Sequence, residues 1–137
     1  MGVIIGYKTP YLKDKLNDHW VPGRSAYTPP SVLYAALTKQ VADPANTILE
    51  LAATGNYSRA TLASGFFAAS VNGYQVSTAG ILWPVPSADW LAVYSITLYD
   101  ALTGGNALWV IGLSVPMTAL SGVAPSLASG VIQLYSN

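Results

Sequence analysis

The chain of 137 residues has no cysteine, which excludes disulfide scaffolds, thiolate zinc sites and cysteine nucleophiles. It is poor in charge: 9% of its residues are Asp, Glu, Lys or Arg, against about 25% in an ordinary soluble domain. Six basic residues cancel six acidic ones, so there is no cationic surplus with which to coat nucleic acid. It has no run of about 20 apolar residues that could cross a bilayer as a helix. The most apolar stretch, Leu108 to Leu120, is shorter and carries Gly112, Ser114, Pro116 and Thr118. No signal peptide fits, because Val3-Ile4-Ile5 is too short for an apolar signal core and no basic residue precedes it. The expectation is a soluble assembly component without a targeting segment or a membrane partner.

Apolar residues make up 52% of the chain, which excludes intrinsic disorder and provides one domain with a real core. The charges are unevenly placed. Eight of the twelve lie in the first 43 residues, and after Arg59 only Asp89 and Asp100 remain. A freely diffusing monomer keeps a charged surface to stay soluble. A nearly uncharged second half therefore points to a surface covered by neighbours.

Thr9-Pro10 opens the one convincing helical pattern, with Thr9 as N-cap and Pro10 at the first helical position. Leu12, Leu16 and Trp20 recur at i, i+4 and i+8 on one side, and Pro22-Gly23 ends the run. Extended segments follow at 32–38, 48–52, 57–63, 74–83, 90–99, 107–115 and 131–135, with Pro116 ending the sixth and a loop-like stretch over 121–130. Asp43-Pro44-Ala45-Asn46, Thr54-Gly55-Asn56, Asn72-Gly73 and Leu102 to Asn106 supply turns, Asn72-Gly73 being the best hairpin signal. This pattern predicts an all-β fold, an antiparallel β-sandwich over 31–137 with a short helical N-terminal arm over 1–30. The strands at 90–99 and 107–115 are apolar on both faces, so their outer faces need the arm, loops or another subunit as cover.

Little in the sequence suggests catalysis. His19 is the one histidine, no Gly-x-Ser-x-Gly elbow accompanies it, and a lone imidazole without cysteine makes no typical zinc site. Paired carboxylates are the other enzymatic route. Asp89 and Asp100 flank one strand, which separates them by roughly 35 Å, and both stand where side chains cap turns. Glu50 is unconstrained relative to either. Thr103-Gly104-Gly105-Asn106 lacks the Lys and following helix of a phosphate loop. The expectation is no catalytic residue, no metal site and no cofactor. Trp90 and Tyr94 read as core, whereas Tyr7, Tyr11, Leu12, Leu16 and Trp20 are candidates for subunit contact.

The middle of the chain resembles a family of small structural proteins of tailed bacteriophages, labelled tail-fibre or head-decoration proteins. The residues carrying the resemblance are Ala26-Tyr27-Thr28-Pro29-Pro30 with Leu33-Tyr34-Ala35-Ala36-Leu37, Gly55-Asn56-Tyr57-Ser58-Arg59-Ala60, Ile81-Leu82-Trp83-Pro84 with Asp89-Trp90, and Asp100-Ala101-Leu102-Thr103-Gly104-Gly105-Asn106-Ala107-Leu108. Their order and spacing fit over residues 11–112. The most specific pieces are Tyr57-x-Arg59 and the Asp100 to Asn106 run. One departure is Leu91, where family members carry glycine after the tryptophan; another is an uncharged last strand where they carry an acidic one.

The resemblance implies a virion structural protein without enzymatic activity. The leading expectation is a capsid decoration, or cement, protein on the capsid surface, bound to the major capsid protein and to itself as a homotrimer. The alternative is a tail or tail-fibre component that contacts other tail proteins or a host glycan. Tyr57, Arg59, Trp83, Asp89, Trp90, Asp100, Gly104, Gly105 and Asn106 are then structural motif residues, with Arg59 expected to pair with Asp100 or Asp89.

Overall fold

A computed structural model describes residues 4–43 and 47–135. Pro44, Ala45 and Asn46 of the expected turn lie outside the described residues. Among the described residues the fold is all-β with one helix. Its elements are β1 (Ile4–Lys8), α1 (Pro10–His19), β2 (Leu33–Thr38), β3 (Ala60–Leu62), β4 (Tyr74–Val76), β5 (Ile81–Leu82), β6 (Leu91–Tyr99), β7 (Ala107–Ala119), β8 (Ser126–Leu127) and β9 (Ile132–Tyr135). Seven strands form one sheet in the order β3-β2-β6-β7-β1-β9-β4, and β5 and β8 form a small second sheet. Every pairing is antiparallel except β1 with β9.

The helix starts where its sequence says it should. The Thr9 hydroxyl accepts a hydrogen bond from the Leu12 N–H at 3.3 Å and donates to the Ala107 carbonyl at 2.6 Å. The N-cap therefore also ties the helix to β7. Of the three apolar residues at helical spacing only Leu12 is buried; Leu16 lies at the edge and Trp20 is 76% exposed. The segment expected to be only a helical arm also supplies β1, an interior strand between β7 and β9.

The core lies between the two sheets. Ala35 and Leu37 of β2, Ile96 and Leu98 of β6 and Ile111 of β7 share it with Ile81, Trp83 and Leu127 from the small sheet and its flank. Trp83 is almost wholly buried, and its indole N–H donates to the Ala35 carbonyl at 3.0 Å. The opposite face of the large sheet is mixed: Ala36 of β2 and Leu108 and Val110 of β7 are buried there, as apolar residues on both faces of the strand predict, but β6 contributes hydroxyls. Thr38, Ser95 and Thr97 are fully buried there in a chain of hydroxyls, with the Thr38 and Ser95 oxygens 2.6 Å apart and Ser95 donating to the Gln40 carbonyl.

Several expected strands differ from the observed ones. The stretch 48–52 makes only a bridge, Thr38 to Glu50. The stretch 74–83 divides into β4 and β5, and β8 lies in the 121–130 segment read as loop. Asn72 and Gly73 both take positive φ between the bridged Val71 and Tyr74, which is the tight turn their sequence predicts.

Pro116 does not end β7. Val93 pairs with Met117 and Ser95 with Gly112, so one residue, Tyr94, faces the four residues Leu113 to Pro116. The proline sits in this bulge, where no ladder donor is needed, and pairing resumes beyond it. The bulge also resets the alternation of β6. Val93 joins the core, and Tyr94, expected there, is 40% exposed.

Candidate functional site

Two features stand out from the scaffold: a buried charged clamp and an exposed apolar end. The clamp joins the two most specific motif pieces. Arg59, immediately before β3, is 8% exposed. Its partner is neither Asp100 nor Asp89, as the sequence had suggested, but Glu50. The Arg59 Nε donates to Glu50 Oε2 at 2.9 Å and Nη2 to Oε1 at 2.8 Å, a bidentate pair. Sequence reasoning missed Glu50 because the carboxylate comes from a segment with little strand structure, brought alongside β2 by the Thr38 bridge.

The remaining guanidinium nitrogen holds the 100–106 loop. Nη1 donates to the Ala101 carbonyl at 2.7 Å and the Gly104 carbonyl at 2.8 Å, and the guanidinium carbon lies 3.6 Å from the centre of the Tyr99 ring. Hydrogen bonding to Glu50 raises the arginine pKa above its ordinary value. Tyr57 completes the clamp. Its hydroxyl donates to Glu50 Oε2 at 2.7 Å and accepts from the Leu37 N–H at 3.0 Å. Burial first, then the Glu50 contact, pushes the phenol pKa far above its usual value. The Tyr57 ring meets Trp90 edge-on at 5.3 Å, and the Trp90 indole donates to the Gly55 carbonyl at 2.8 Å.

Asp100 and Asp89 are turn caps. Asp100 accepts from the Asn106 backbone N–H at 2.7 Å and from its side-chain amide at 3.0 Å. Asp89 accepts from the Ser121 N–H at 2.8 Å. Gly104 and Gly105 both take positive φ in the loop between Asp100 and Asn106. Tyr57, Arg59, Asp100, Gly104, Gly105 and Asn106 thus meet in one place, with Trp90 at its edge; Trp83 and Asp89 act elsewhere. Both Glu50 oxygens are engaged, so the carboxylate is part of a structural clamp. His19 is exposed and accepts through Nδ1 from the Tyr27 N–H at 2.9 Å.

The apolar end is built from β5, the start of β6, the β7 bulge and the loops beside them. Trp83 N–H donates to Pro125 O, Gly122 N–H to Pro86 O and Trp90 N–H to Ala119 O, which draws the 81–91 and 119–127 segments together. Leu82, Leu91, Val115, Leu120 and Val123 are each at least half exposed there. A 220 Å³ cleft lies between the bulge and β8, lined by Leu113, Pro116, Met117 and Leu127 among others. On the other side of the molecule, a 480 Å³ cleft runs between α1 with its following connector and the sheet. Leu12, Leu16, Tyr27, Phe67 and Trp109 line it, and the Lys8 ammonium stands 5.6 Å over the Trp109 ring. Tyr7 and Tyr11 line a third cleft, of 320 Å³, beside Asn106.

The family model described as podophage GP4 fiber I protein gp80 matches residues 8–135, nearly the whole chain. No curated protein matches it.

Proposed function

The chain belongs to the Gp80 family, that of the podophage GP4 fiber I protein gp80, and from that membership we propose that it is a fibre subunit of a podophage virion. As a member it is a phage structural protein. The match across residues 8–135 carries the fibre reading and supports it over the capsid-cement role that led the expectations from the sequence resemblance. The exposed apolar residues give the subunit its work, which is to bury surface against other virion subunits without chemistry. At about 25 cal/mol per Å² of apolar area removed from water, such contacts outweigh the cost of association once they are large and well packed. The Arg59 clamp contributes rigidity, fixing the loop after β6 so that the surface is presented in one shape.

The fibre and cement roles separate in particles that lack the protein. The fibre role predicts heads that survive heating and osmotic shock as well as complete particles do, with adsorption to host cells lost. Heads that burst while adsorption stays normal would replace the fibre reading with the cement one.

A further inference from the structure

Leu91 bears two costs at once. It holds φ +70, in the left-handed region that favours glycine, and its side chain is 69% exposed. The Trp90 N–H bonds to the Ala119 carbonyl while Leu91 itself is paired opposite Ala119. The left-handed residue thus stands at the first ladder position of β6, in a conformation that glycine adopts without steric cost. Leucine there is strained by its Cβ, and the strain gains nothing inside this subunit because the side chain points away from the core. Strain kept at one residue is a sign of a contact made elsewhere.

The surroundings say what that contact is. Leu82, Leu91, Tyr94, Val115, Leu120 and Val123 are exposed at this end, with Val115 at 70%. At roughly 100 Å² each they offer about 600 Å² of apolar surface, the upper range for a monomer and most of the ~800 Å² per partner that a stable interface uses. Across residues 81–94 and 113–127 the one charged residue is Asp89, whose carboxylate already accepts from Ser121. A charged partner would find nothing to pair with. An identical face would meet it without like-charge repulsion.

We infer that this end of the fold is a self-association surface, occupied by a second copy of the same chain, with Leu91 and Val115 at its centre. The inference rests on the assembly role proposed above and names its partner. Its test uses the purified full chain, so it can fail while the particle experiments stand.

The experiment is light-scattering mass across a concentration series for the native chain, Leu91→Gly and Val115→Lys, with thermal midpoints for each. The native chain is expected to form oligomers. Val115→Lys should weaken association at least tenfold. Leu91→Gly should also weaken it while melting no lower than the native chain, which separates a lost contact from a damaged fold. A native chain monomeric at every concentration overturns the inference. So does an oligomer that both substitutions leave intact, and so does a different virion protein captured by this end in place of a second copy.

Discussion

Arg59 and Glu50, nine residues apart, meet in a bidentate pair with both partners largely withdrawn from water, their side chains 6% and 24% exposed. The same guanidinium bonds two carbonyls of the 100–106 loop and stacks on Tyr99. Removing one partner of a buried pair strands the other. Arg59→Ala should therefore cost about 3 kcal/mol. Arg59→Lys should recover less than half of that, because an ammonium cannot fork to a carboxylate and two carbonyls together. Urea melts of both variants check this.

The two loop glycines should respond differently. A Cβ on Gly105 would stand 2.5 Å from Asp100 Oδ1 and 2.7 Å from the Ala101 Cβ, at φ +73. A Cβ on Gly104 would meet nothing within 4 Å, at φ +61. Gly104→Ala should cost only its backbone strain, about 1 kcal/mol. Gly105→Ala adds the clash and should cost at least 2 kcal/mol more, about 3 in total. Thermal melts of the two variants side by side give the comparison.

Tyr57 sets an alkaline limit. Its phenol pKa is raised in the folded chain, by burial first and by Glu50 second. Below the unfolded value near 10 both states hold the proton and this group leaves stability independent of pH. Above it the unfolded state releases the proton and the folded state keeps it, so stability falls by up to about 1.4 kcal/mol per pH unit. Tyr57→Phe should flatten that decline while lowering neutral stability by about 1–2 kcal/mol, since the Leu37 N–H loses its acceptor. Melts between pH 7 and 11 measure both effects.

Trp83 pins the small sheet to the large one. Trp83→Phe leaves the Ala35 carbonyl without its donor and opens space in the core, so it should cost about 2–3 kcal/mol. Its near-ultraviolet circular dichroism should weaken in step with the lower melting midpoint.

The sequence made the helix cap at Thr9, the Asn72-Gly73 turn and most strand positions legible, because each rests on local chemistry within a few residues. The partner of Arg59 was not legible, since a bridge to β2 rather than any spacing delivers Glu50. Tyr94 was misplaced because period-two alternation cannot see a bulge in the neighbouring strand. Pro116 reads as a terminator in the sequence for the same reason, although a proline stops a ladder only where its N–H would be used. Leu91 is the opposite case. The departure from glycine was visible in the sequence, and the structure supplies its meaning through a left-handed backbone.

The fibre assignment is the central claim, and gold-labelled antibody imaging of intact source particles tests it most directly. Label should be confined to the tail and its fibres. Label spread over the head, or absent from every particle, would contradict it.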